Sequence, residues 1–196
     1  MNQSQSPWYP LADSPCELLE QFRPGDAFFA SPTIALLGRG IAHQCRTTDA
    51  RPQTLETAAD HLFASARQAG QQAPVIMGLI PFDHDDAAQL FIPTERYQAL
   101  PGARERRRDT PALTVHAERM TPEPAPEHYR QAVDQALDMF ETTALDKVVL
   151  ARALRVDTQT PLDVSALMQR LLSINPQGYN FALPNDAAAD LSLIHI

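Results

Sequence analysis

The sequence is poor in the residues that mark the commonest protein sites. It has two cysteines, Cys16 and Cys45, far apart and without metal-type spacing, so reduced thiols are expected rather than a zinc centre or a disulfide framework. Its seven glycines form no GxGxxG pattern and no GxxxxGK followed by Ser or Thr, which removes the dinucleotide fold and the phosphate loop. The metalloprotease pattern HExxH and the nucleophile elbow GxSxG are missing as well. The longest apolar run, around "PVIMGLIPF", falls far short of the ~20 residues of a membrane span. The start "MNQSQSPWYPLADSP" has neither the basic lead nor the apolar core of a secretory signal, so a cytoplasmic protein with no membrane partner is expected. Positive charge is also scarce. Sixteen basic against 24 acidic residues give a net charge of -8, which repels nucleic-acid backbones and anionic membranes.

What is present is enough for a core: 196 residues, 44% of them hydrophobic. "DAFFASPTIALLGRGIAH" predicts two short strands, Ala27 to Ala30 and Ile34 to Leu37 onward, broken at Ser31-Pro32 because proline cannot donate to a ladder. Leu55, Ala58, Ala59, Leu62, Phe63 and Ala66 recur at helical spacing, with Gly70 placed as a C-terminal cap. "PVIMGLIPF" and "QLFIP" read as neighbouring strands. From Pro93 to Pro126 the prolines exclude regular core structure except a short strand at "ALTVHAE", and the run Arg104 to Asp109 reads as a solvated loop. "APEHYRQAVDQALDMFETTALD" restores a helix with Pro126 in its first turn. "TPLDVSALMQRLLSIN" predicts another, capped by Thr160, and "QGYNFALP" a half-buried strand turning Tyr179, Phe181 and Leu183 inward.

Few side chains offer chemistry. Asp83 to Asp86, "DHDD", lacks the glycine-enabled turn of a hard-metal loop and reads as a solvated turn. His43, His61, His116 and His128 stand singly and read as surface groups. Lys147 is different, since "KVVLARALRV" has strand composition. As a strand it sets Lys147, Val149, Ala151 and Ala153 on one face, where the small side chains leave room for a ligand, and Val148, Leu150, Leu154 and Val156 on the other. A lysine titrates near ~10.4, so it serves as a base near neutrality only where burial or a cationic neighbour depresses that value.

Four segments occur in order: "MGLIPFD" at Met77 to Asp83, "LFIP" at Leu90 to Pro93, "DKVVLAR" at Asp146 to Arg152 and "NPQGYNF" at Asn175 to Phe181. Together they resemble the isochorismate synthases of the chorismate-utilising family, in the branch that supplies 2,3-dihydroxybenzoate or salicylate for siderophores. The resemblance implies an α+β fold in which two large sheets stack with helices outside. It implies a small-molecule substrate, chorismate, and a magnesium ion whose ligands lie outside this chain. Within it, Lys147 is the base that deprotonates the water added at ring C2, while hydroxide leaves from C4. The general acid, the glutamate of a "GASPE" segment, is absent from the sequence. So are the family's metal-binding glutamates. The expected organisation is a lead-in at 1–26, the N-terminal part of the chorismate-utilising domain at 27–190, and a non-native tail at 191–196, where "LSLIHI" matches a translated sequencing adapter. An inactive fragment of an enzyme that is monomeric at full length is expected. A salicylate synthase fragment and a non-catalytic half-fold binding module are the alternatives.

Overall fold

The computed structural model describes residues 9–99, 116–184 and 191–195. The chain forms two compact units, residues 1–112 with 164–196, and residues 113–163.

The first unit carries two sheets. Strands β1 (Tyr9–Ala12), β2 (Ala27–Ala30), β3 (Ala35–Arg39), β7 (Glu95–Ala99), β10 (Asn180–Pro184) and β11 (Leu191–His195) form one, in the order β1-β7-β3-β2-β10-β11. Only β1 and β7 run parallel among these pairs. Strands β4 (His43–Arg46), β5 (Met77–Leu79) and β6 (Gln89–Ile92) form the other, antiparallel throughout. Helices α1 (Pro15–Glu20) and α4 (Val164–Ile174) cover the first sheet, and α2 (Pro52–Gln68) covers the second.

The pleat explains how one strand serves two layers. On β2, Phe28 and Ala30 join Leu18, Leu19, Met168 and Leu172 under the helices, while Ala27 points the other way. On β6, Leu90 and Ile92 meet Leu62 and Ala66 of α2, and Phe91 turns away to join Ala27, Met77 and Leu183. That last cluster holds residues from both sheets, so the sheets are stacked with helices outside, as the resemblance implied. Glycines make the close approaches possible. A Cβ on Gly38 would lie 2.7 Å from Met77 Sδ, and one on Gly78 would collide with the Gln89 carbonyl oxygen.

Helix α2 starts at Pro52 and ends in a Schellman motif. Gly70, at φ +80°, and Gln71 donate their N–H groups to the carbonyls of Arg67 and Ala66 at 3.0 and 2.9 Å. At its start, Asp49 Oδ1 accepts from the Arg51 N–H at 3.0 Å, and this bond holds the Asp49 carboxyl below its usual value. Asp26 is buried. It accepts from Arg39 Nε and Nη2, the latter at 3.0 Å, and from the Arg23 N–H. The same carboxylate raises the Arg39 pKa, and the guanidinium stacks 5.3 Å from the centre of the Tyr97 ring. Arg96, also buried, donates to the carbonyls of Ala73 and Gln72, and burial lowers its pKa.

The second unit consists of β8 (Ala117–Glu123), α3 (Pro126–Thr142) and β9 (Ala153–Thr158), with β8 and β9 paired antiparallel. The backbone from 145 to 152 is neither helix nor strand.

Several expectations need correction. "PVIMGLIPF" is a strand only over Met77–Leu79, because Pro81 and the acidic turn behind it stop the ladder; Phe82 is fully exposed. Of "ALTVHAE", Ala117 and Glu118 open β8, while 112–115, like Arg104 to Asp109, fall outside the described residues; β7 forms where prolines were taken to exclude regular structure. Helix α4 begins after Asp163, so Thr160 does not cap it. On β10 it is Asn180 that is fully buried, donating Nδ2 to the Asn175 carbonyl at 3.2 Å, while Tyr179 is exposed. The lead-in forms β1 and α1 where sequence patterning gave no element. The hexamer at 191–196 pairs with β10 over Leu191–His195, as an apolar segment beside an open strand edge does whatever its origin.

Candidate functional site

Lys147 is the only lysine of the chain. It lies in the second unit, in the irregular stretch between α3 and β9. The expected strand from Lys147 to Val156 is shortened at its start: β9 begins at Ala153, opposite Glu123 at the end of β8. Upstream of that pair, the described residues offer 147–152 no ladder partner, and an unpaired strand sequence stays irregular. The face predicted to wall a dry cleft is therefore open. Lys147, Val149 and Ala151 are all exposed, Val149 at 78%.

Its surroundings are polar and sparse. Arg152 stacks over the Tyr129 ring of α3, with the guanidinium 5.8 Å from the ring centre. Arg130 makes an exposed ion pair with Glu127 at 3.7 Å, one turn earlier on the same helix. Among the described residues, Lys147 has no built environment that would desolvate it or hold a water against it.

The other candidates are settled more simply. Asp83 to Asp86 is a turn in which Asp83 Oδ1 accepts from the Asp85 N–H at 2.9 Å, and Asp85 pairs with Arg51 Nη2 at 2.5 Å. No three His, Cys, Asp or Glu side chains converge on a common point among the described residues. His61, His116 and His128 are exposed, His43 is half-buried on β4, and Cys16 and Cys45 are not in a disulfide. No helix among the described residues is long and apolar enough to cross a membrane. The exposure of the apolar side chains next to Lys147, Val148 and Val149, was not legible in the sequence. Treating the segment as a two-sided buried strand concealed them, and the missing signal was a partner strand to bury it.

Residues 83–190, more than half the chain and the stretch that includes Lys147, match the chorismate binding enzyme family, and the chain belongs to it. It is 34% identical over 169 residues to isochorismate synthase DhbC of Bacillus subtilis (strain 168), a match covering 84% of this chain and 42% of the relative. It is 32% identical to the vibriobactin-specific isochorismate synthase of Vibrio cholerae, covering 81% and 39%. The crystal structure of DhbC from Bacillus anthracis superposes with a TM-score of 0.74 at 27% identity, over 92% of this chain and 46% of that one. The chain thus spans less than half the length of the relatives it matches.

Proposed function

We propose that this chain is the N-terminal part of an isochorismate synthase that isomerises chorismate to isochorismate for siderophore biosynthesis, and that it does not turn over alone. The observation that carries the proposal is the 34% identity to a protein named isochorismate synthase, over a match covering most of the chain. The Vibrio cholerae relative, named as vibriobactin-specific, supports the siderophore assignment. Lys147 is the proposed base. It takes a proton from the water whose oxygen bonds to ring C2, the ring double bond shifts, and the C4–O bond breaks, with a general acid from outside this chain returning a proton to the departing hydroxide. The overall reaction gains one water and loses one. The magnesium that the resemblance implies would be held by groups outside the described residues, among which no three His, Cys, Asp or Glu side chains gather.

Product analysis tests this. The chain is joined to the part of the Bacillus subtilis relative that lies outside the match and incubated with chorismate and magnesium. Isochorismate is the expected product. Salicylate plus pyruvate as the dominant products would make the protein a salicylate synthase, and unchanged chorismate would remove the enzymatic assignment.

A further inference from the structure

Lys147 sits on a stretch of chain that is fixed at each end by side chains of its own unit. At the near end α3 stops at Thr142, and the Thr143 hydroxyl donates to the Met139 carbonyl at 2.7 Å while accepting the Leu145 N–H at 3.2 Å, which sets the direction of exit. At the far end the β8–β9 ladder stops at Ala153 opposite Glu123, so Arg152 is the first residue beyond it. There the Arg152 guanidinium lies 5.8 Å from the centre of the Tyr129 ring, within the range of a cation–π contact. Tyr129 stands at the start of α3, its N–H donating to the Ala125 carbonyl. The chain therefore leaves one end of the helix and is tied back to the other. From Tyr129 to Thr142 the helix rises about 20 Å, whereas residues 143–152 can reach about 33 Å when extended. That difference is slack. Packing does not remove it, because α3 makes no more than marginal contact with β8 or β9 among the described residues.

We propose that Tyr129 and Arg152 are positioning residues for Lys147, their stack being the tie that limits the paths open to the 145–152 stretch. Lys147 and Arg152 stand on one short irregular segment, so whatever holds the second restricts the first. A base acts only within hydrogen-bond reach of the proton it takes, and a small misplacement of the reacting groups costs rate. The ring and the guanidinium touch neither water nor substrate in this role. They act through the backbone between them and the lysine. The tie itself stands on the geometry of this unit; its value to catalysis rests on the isochorismate synthase proposal.

Because Lys147 is the only lysine, a lysine-specific endopeptidase cuts the full chain at one bond, Lys147–Val148, and the rate of that cut reads how readily the stretch opens. Tyr129→Leu and Arg152→Met should each speed the cut about two- to fivefold, the loss of one exposed cation–π contact. Both substitutions together should cut no faster than either alone, as for partners in a single interaction. Tyr129→Phe keeps the ring and should cut at the parent rate. Arg130→Met removes a charge from the same helix and should also leave the rate unchanged. In the chain joined to the part of the Bacillus subtilis relative outside the match, Tyr129→Leu should lower kcat for isochorismate about threefold or more at unchanged KM, and Tyr129→Phe should keep the parent kcat. A parent rate of cutting in Tyr129→Leu, or faster cutting in Tyr129→Phe or Arg130→Met as well, would overturn the tie. An unchanged kcat in Tyr129→Leu, or a raised KM at unchanged kcat in Arg152→Met, which would make Arg152 a substrate contact, would overturn the positioning role. A joined parent that makes no isochorismate, with cutting still governed by the ring, would strike the functional reading and leave the tie standing.

Discussion

The two units are written in the same alternating and helical patterns, and they bury them to very different degrees. In residues 1–112 with 164–196, each sheet has helices on one face and the other sheet on its second face, so Phe28, Leu37, Leu62, Ile92 and Met168 are all fully buried. In residues 113–163, the strand β9 and helix α3 have equally apolar stripes, and Leu137, Leu154 and Val156 remain exposed. Pattern alone therefore establishes which side of an element wants cover. Whether cover arrives depends on a second layer, because burial of apolar area rather than propensity supplies most of the stabilisation.

The sharpest way to break that contrast is to truncate one side chain in each unit. Phe28→Ala should destabilise the first unit by about 4 kcal/mol, the cost of a cavity in a closed core. Leu154→Ala in the chain alone should change stability by no more than about 0.5 kcal/mol, as for other exposed positions. Urea unfolding followed by far-ultraviolet circular dichroism gives both values, and equal losses would mean that the second unit has a core of its own.

Asp26→Ala sharpens the description of the first unit. It removes the acceptor for Arg39 and for the Arg23 N–H, and leaves a largely buried guanidinium beside Tyr97. The expected cost is about 3 kcal/mol, that of breaking a buried pair on one side. A thermal melt indistinguishable from the parent would show that the pair contributes nothing.

The smallest effect concerns the start of α2. The Asp49 carboxyl has its pKa lowered first by the Arg51 N–H and then by neighbouring hydroxyls. A carboxylate with a folded pKa below its unfolded one contributes stability above the unfolded value, and that contribution is lost as pH falls through the folded one. Asp49→Asn should therefore lower stability slightly at neutral pH and flatten the acid limb of a stability-against-pH curve. An acid limb of unchanged slope would assign that limb to other carboxylates.

Much of the first unit was legible in the sequence for identifiable reasons. Strand β2 spans Ala27–Ala30 as expected, since Ser31-Pro32 ends it, and Gly70 caps α2 where helical spacing runs out. Strands β4 and β7 were not legible. "HQCR" and "ERYQA" open on adjacent polar residues rather than a clean alternation, and their identity as strands comes from partners β6 and β3. Asn180 was misplaced because alternation alone pointed Tyr179 inward, whereas a buried asparagine finds the carbonyls of the preceding turn. The site is the least legible part. "DKVVLAR" identifies Lys147 by resemblance, but the burial that would make an amine a base depends on neighbours that 147–152 does not have among the described residues.

The direct test of the account is the turnover of chorismate by Lys147→Ala in the chain joined to the missing part of the domain. With Lys147 as the base, kcat for isochorismate should fall by roughly 100-fold or more, the usual worth of a general base, while KM stays near that of the parent. Turnover equal to that of the parent would contradict it.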